Sequence, residues 1–217
     1  MDARKKLFVS LARRLPVYFS VLNDYIRKDV KSLTTGDLMQ QTGFTEEQLN
    51  EDLIQICGGL ESSYDVVLFR EKILKTMSLE DGVSTVIIGA GNLGTALARY
   101  NIGSDPYIKL IGIFDIDPRK IGTDILGLEV KHVSRLKEVI KEYNASVAIL
   151  TVPAMHAQQA AEYAIDSGIK VIYNFAPVKL QVPECTYLHN VDLSLDLRSI
   201  IFYATSVGKV IETGDDL

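Results

Sequence analysis

Cysteine and histidine are scarce in this sequence. Its 217 residues include two cysteines, Cys57 and Cys185, and three histidines, His132, His156 and His189. Two cysteines so far apart form no disulfide framework, and both are expected to be packing thiols in a reducing compartment. The one Cys/His neighbourhood, Cys185 with His189, lacks the further ligands of a zinc centre, so no metal site is expected. No uncharged apolar run is long enough to cross a bilayer, and Arg13 and Arg14 break up what would otherwise be a signal-peptide core. A cytoplasmic protein with no membrane partner is expected. No repeat of solenoid length is present either. Cations are outnumbered, 23 Lys and Arg against 28 Asp and Glu for a net charge of -5, which argues against a surface coated for nonspecific nucleic-acid binding. The exception is a basic cluster near the start, Arg4, Lys5, Lys6, Arg13 and Arg14. The remainder, 47% hydrophobic and 24% charged, describes a globular chain with room for one large domain or two modest ones.

From Leu7 to Ile26 apolar residues recur at helical spacing, with Pro16 read as opening a second helix. Thr34 or Thr35 caps a short helix over Gly36 to Gln41. Gly43 and Phe44 make a turn, and Thr45 with Gln48 forms a capping box for a helix that runs to about Cys57 and ends at Gly58 and Gly59. A Gly-rich return into Tyr64-Asp65-Val66 and a helix over Val67 to Met77 complete a winged helix-turn-helix pattern, a shape also common in interaction modules. The polar stretch from Ser78 to Gly82 marks a boundary, giving a first domain over residues 1–80.

Beyond it the period changes. Short apolar runs at Val83 to Ile88, Lys109 to Phe114, Ser146 to Leu150 and Ile169 to Tyr173 alternate with helical segments near Val133 to Tyr143 and His156 to Ser167. Nearly all-apolar strands separated by helices predict an α/β fold, a doubly wound parallel sheet covered on both faces, over residues 81–192. Residues 193–217 form a C-terminal helix.

The first of these strands runs straight into Gly89-Ala90-Gly91-Asn92-Leu93-Gly94 and then into a helix. A bare GxGxxG is weak, but between a strand and a helix each glycine has a task. The first permits a tight turn, the second lets backbone approach a pyrophosphate, and the third lets helix and strand pack closely. After the next strand stands Phe114-Asp115-Ile116-Asp117, at the offset where an acid meets the adenosine ribose. Asp115 is the expected acceptor, and its charge favours NAD(H) over a 2′-phosphorylated cofactor, with Arg119 nearby acting against that preference. Thr151, Val152 and Pro153, and Asn174 to Pro177, follow later strands on the same sheet edge and are expected to flank the nicotinamide. Phe175 is as well explained by a core position as by ring contact.

A small NAD-dependent dehydrogenase needs an acid/base group near the nicotinamide and a second-substrate pocket. His156 is the sole histidine near the edge, where a surface or first-turn role explains it better, and the nucleotide fold leaves no room for a substrate domain. No catalytic residue is assigned.

Taken together, Arg14-Leu15-Pro16-Val17-Tyr18, the glycine turn, Phe114 to Asp117 with Lys120-Ile121-Gly122, Ile149 to Ala154 with Gln158, Asn174-Phe175-Ala176-Pro177 and Val191-Asp192-Leu193 resemble the Rex family of redox-sensing transcriptional repressors over almost the whole chain. The resemblance implies a winged-helix domain, a Rossmann-like domain and a homodimer in which each C-terminal helix is exchanged with its partner. It also implies NAD+ and NADH as effectors, with DNA released when NADH replaces NAD+. It adds Tyr100 to the cofactor-binding set and pairs it in a network with Asp192 and an Arg that is Ser20 here. Leu195, Leu197, Ile200, Ile201, Tyr203, Ala204 and Val207 suit an exchanged helix, or an intrachain packing helix equally. The departures concentrate in the DNA-reading region. Asn50-Glu51 replaces a basic pair before Asp52-Leu53, the wing from Gly59 to Tyr64 carries no cation, and Glu46, Glu47, Glu51, Asp52 and Glu61 present the wrong sign to a polyanion. Weakened DNA binding, with the winged helix serving a protein partner, is therefore expected; the alternative is an ordinary NADH-responsive repressor.

Overall fold

The computed structural model describes residues 3–99 and 105–213. They fall into two compact units, Met1–Gly82 and Val83–Leu217.

The first unit opens with α1, Ala3–Arg27, a single helix with Pro16 inside it rather than two helices meeting there. The missing N–H at Pro16 removes one helical hydrogen bond and costs about 3 kcal/mol in a helix interior. Pro16 and Ala12, whose carbonyl loses that bond, are both exposed, so water can satisfy the carbonyl. On the opposite face Leu11, Leu15, Tyr18 and Leu22 are buried in one core. Each such side chain contributes roughly 1.5–3 kcal/mol on burial, so one continuous apolar stripe outweighs the broken bond.

A short strand β1, Ser32–Leu33, leads to α2, Thr35–Thr42, and α3, Glu46–Cys57. Capping boxes start both helices, Thr34 with Asp37 and Thr45 with Gln48, and left-handed glycines end them, Gly43 and Gly58. Strand β2, Tyr64–Asp65, pairs antiparallel with β1 and α4, Val66–Thr76, closes the unit. Leu38, Leu49, Leu53, Phe69 and Ile73 fill the core between the helices.

The second unit is built on β3 (Val83–Ile88), α5 (Asn92–Leu97), β4 (Ile108–Asp115), β5 (Asp124–Ile125), β6 (Leu128–His132), α6 (Leu136–Tyr143), β7 (Val147–Leu150), α7 (Ala154–Asp166), β8 (Val171–Asn174), β9 (Tyr187–Asn190) and α8 (Leu193–Thr213). The strands form one sheet in the order β5-β6-β4-β3-β7-β8-β9. All neighbours are parallel except β5 with β6. That edge hairpin and β9 are additions to the strands expected from sequence. Both are short, and neither has the continuous apolar run that marks a strand buried on two faces. Alternation along β3 sends Val86 and Ile88 into a core with α6 and α7, while Ile87 packs on the opposite face with Ala98. The sheet is thus doubly wound, and the order reverses where β3 separates β4 from β7. In such sheets a crevice opens at the carboxyl ends of the strands beside that reversal.

Helix α8 differs from the rest. Leu195, Leu197, Ile200, Ile201, Phe202 and Tyr203 are all more than half exposed, from 53% to 66%, so packing within one chain does not bury them. The side chain of Val207 lies outside the described residues.

Candidate functional site

At the carboxyl ends of β3 and β7 lies a cavity of about 800 Å³, within the range of sites that hold small molecules and cofactors. Its floor is the glycine turn. Gly89 takes φ +110 and donates its N–H to the Phe114 carbonyl at 2.7 Å. A side chain there would stand 2.7 Å from the Thr151 carbonyl oxygen. At Gly94 the space is tighter, because a Cβ would lie 2.0 Å from the Gly89 carbonyl oxygen, which holds the first turn of α5 against the end of β3. Gly91 is the contrast: it lines the cavity, has extended backbone, and a Cβ on it would meet nothing within 4 Å among the described residues. The turn therefore leaves room for a bulky group over its middle glycine, which is what the approach of a pyrophosphate requires.

Thr151 ties the turn to the neighbouring strand. Its N–H donates to the Ile88 carbonyl at 2.9 Å and its hydroxyl to the Gly89 carbonyl at 2.7 Å. Thr151→Val keeps the shape and removes the hydroxyl. It should lower the stability of this unit by about 1 kcal/mol, read as a drop in the urea midpoint without a change in slope.

Asp115 is buried at the end of β4. One carboxylate oxygen accepts from the N–H groups of Ile116 and Asp117 at 2.8 and 2.9 Å, and the other from the Ala90 N–H at 2.8 Å and the Lys120 ammonium at 2.9 Å. A carboxylate offers about four acceptor positions, so none is left over. Burial alone would raise the Asp115 carboxyl, but the hydrogen bonds from Asp117, Lys120 and Ala90 outweigh it and hold the group below the usual carboxylate range. A lowered folded value means that these bonds stabilise the unit above about pH 3.9 and fade as pH falls through the lowered value. A ribose hydroxyl that reaches this carboxylate must displace Lys120, a role that spacing alone did not expose. Arg119 is held by Asp117 through its Nε and Nη2.

Among the sequence-expected residues, Gly89, Gly91, Leu93, Asp115, Ile116, Thr151, Val152 and Pro153 line the cavity. Ala90, Asn92 and Gly94 form the turn without lining it. Asn174 is fully buried and does not line the cavity; among the described residues its carboxamide hydrogen-bonds to Ala176, Val178 and Asn190. The following Phe175 and Pro177 do reach the wall. Tyr100 lies outside the described residues.

Apart from His156, already placed near the edge, the wall supplied by α7 was missed from sequence. His156, Gln159, Ala160 and Tyr163 face the cavity, while Ala157, Ala161 and Ala164 are buried against the sheet. The signal was present, since positions 156, 159, 160 and 163 share one helical face beside the alanine stripe. Among the described residues no group of three or more His, Cys, Asp or Glu is placed to hold a metal ion.

In the first unit α3 shows two faces. Glu46, Glu47 and Glu51 are exposed, whereas Asp52 has no exposure. The Arg14 guanidinium donates to both Asp52 oxygens at 2.6 Å, and the Tyr18 hydroxyl donates to one of them, also at 2.6 Å. Burial and the hydrogen bond to Asp52 raise the Tyr18 hydroxyl far above its ordinary value, and Asp52 raises Arg14. Asp52 therefore leaves the group of acids expected on the surface, and Arg14 leaves the basic cluster.

Residues 81–178 match the family model described as CoA binding domain. Over 206 residues, 94% of each chain, the sequence is 37% identical to the redox-sensing transcriptional repressor Rex of Natranaerobius thermophilus. Two solved structures of RSP, a Rex-family repressor, superimpose closely. The complex of RSP with beta-NADH gives a TM-score of 0.82 at 33% identity, covering 95% of this chain and 98% of the other. The complex with beta-NAD+ and operator DNA gives 0.81 at 33% identity, covering 94% and 95%.

Proposed function

Because the chain belongs to the Rex family of redox-sensing transcriptional repressors, we propose that it is an NAD(H)-responsive regulator whose winged unit has reduced affinity for DNA. As a family member it is a regulator of transcription and not an enzyme. The observation that carries the cofactor assignment is the cleared space over Gly91, between a glycine turn and a buried carboxylate. NAD(H) brings a ring whose charge changes with its redox state. Backbone of the Gly89 to Leu93 turn holds the pyrophosphate, Asp115 and Lys120 meet the adenosine ribose, and Thr151 to Pro153 run along the nicotinamide half. Phe175 and Pro177 border that half with apolar surface. Among the described residues of the wall the carboxylates, Asp115 and Asp117, lie at the ribose end and none stands at the nicotinamide end to balance a pyridinium charge, which favours the neutral reduced ring.

Reduced DNA affinity is supported by α3, whose exposed face carries Glu46, Glu47 and Glu51 and whose sequence contains no Lys or Arg. Phosphate contacts from cations supply most nonspecific and much specific affinity. The same face suits a basic protein partner. A homodimer with exchanged helices is supported by the apolar exposure of α8. The second reading, an ordinary NADH-released repressor, is favoured by the withdrawal of Asp52 from the surface.

Titration of the full chain against promoter-derived duplex at low salt, with NAD+, with NADH and without either, separates the two. Micromolar or weaker binding in all three supports the first reading, and a tight salt-dependent complex released by NADH supports the second. Under the first reading Asn50→Arg with Glu51→Lys should raise DNA affinity at least about tenfold near 0.1 M salt, because it replaces a repulsive contact with two cationic ones.

A further inference from the structure

We propose that Asn174 and Asn190 are positioning residues that preset the cavity wall around the nicotinamide half of a bound dinucleotide, an inference that rests on the NAD(H) reading above. Asn174 ends β8 and is fully buried. Its Nδ2 donates to the Ala176 carbonyl at 3.2 Å, the Val178 carbonyl at 3.0 Å and the Asn190 Oδ1 at 2.9 Å, and its Oδ1 accepts the Ala176 N–H at 3.0 Å. The orientation is fixed, because backbone carbonyls only accept and the Ala176 N–H only donates. Bracketed by these bonds are the two cavity-lining residues, Phe175 and Pro177. Phe175 is held further by its N–H to the Leu150 carbonyl at 2.9 Å and by an edge contact with the Tyr173 ring, centroids 4.6 Å apart.

Past the Phe175 N–H the segment after β8 leaves the sheet ladder, and the carboxamide of Asn174 sets its path. Asn190, at the end of β9, anchors that carboxamide across the sheet. Neither side chain lines the cavity. Both act through Phe175 and Pro177, and so their effect is confined to the half of the ligand beyond the pyrophosphate.

Calorimetric titrations of the full chain with NADH and with ADP, which lacks the nicotinamide half, test this. Asn174→Ala should weaken NADH about tenfold while ADP stays within about twofold, since a lost hydrogen bond is worth roughly one such factor. Asn190→Ala should weaken NADH about threefold with ADP unchanged, and Asn190→Asp, which keeps the acceptor, should restore it; this pair decides the matter if the buried Asn174 variant fails to fold. Equal losses for NADH and ADP, no loss of NADH in Asn190→Ala, or Asn190→Asp behaving like Asn190→Ala, would overturn the positioning role. Failure of the unaltered protein to bind either nucleotide would overturn the NAD(H) reading itself.

Discussion

Gly91→Val should leave the fold intact and weaken NADH binding at least about a hundredfold, close to 3 kcal/mol. The backbone at Gly91 has φ -83 and ψ -171, an extended conformation that a β-branched residue adopts without strain. Among the described residues beyond its chain neighbours a Cβ there meets nothing within 4 Å, so packing does not resist the change. The new methyls would instead fill the space that a pyrophosphate needs over the middle of the turn. Gly94→Ala is the control with the opposite signature. Its Cβ would stand 2.0 Å from the Gly89 carbonyl oxygen, so it must force α5 away from β3 and lower the melting temperature. Thermal melts and NADH titrations on both variants distinguish a blocked site from a broken fold. Retention of NADH affinity within about threefold in Gly91→Val would remove the pyrophosphate from this turn.

Asp52→Ala should destabilise the first unit by about 3–5 kcal/mol, the usual cost of breaking a buried ion pair by removing one partner. The Arg14 side chain is only 13% exposed and would keep its charge without the carboxylate that accepts two of its hydrogen bonds. Tyr18, with no exposure at all, would lose the acceptor for its hydroxyl. Hydrogen exchange on the full chain is the suitable measurement, because it reads α1 to α4 separately from the sheet of the second unit. Protection of α1 and α3 amides should fall about a hundredfold or more, with β3, β4 and β7 unchanged. The triple change Arg14→Met, Tyr18→Phe and Asp52→Leu should recover most of the loss, since well-packed apolar residues replace a buried pair at little cost and no buried hydroxyl is left without an acceptor. A single Asp52→Ala variant as stable as the unaltered protein would show that the pair contributes nothing to the unit.

These two sites differ in how far the sequence disclosed them. The glycine turn is local: strand, turn and helix adjoin in the chain, and each glycine follows from backbone sterics that act over a few residues. The capping boxes at Thr34 and Thr45 and the left-handed ends at Gly43 and Gly58 are of the same kind. Asp52 is different. Within Glu51-Asp52-Leu53 nothing separates an exposed carboxylate from a buried one, and helical phase alone puts Asp52 beside both Leu49 and Glu51. Its partners, Arg14 and Tyr18, are 38 and 34 residues away. Pro16 misled for a related reason, since its local cost is visible in sequence whereas the core that outweighs it is assembled from distant helices.

The sequence by itself determined the α/β class, the strand that feeds the glycine turn and the family to which the chain belongs, because these depend on period, spacing and the conformations that glycine allows. Tertiary structure alone decided which polar groups face a ligand and which face the protein. It turned Asp52 inward onto Arg14, satisfied Asp115 with Lys120 and three backbone amides, set Asn174 to holding a loop, and brought α7 to the cavity wall. A buried polar group must find its hydrogen-bond partners wherever the fold brings them, and those partners have no fixed distance along the chain.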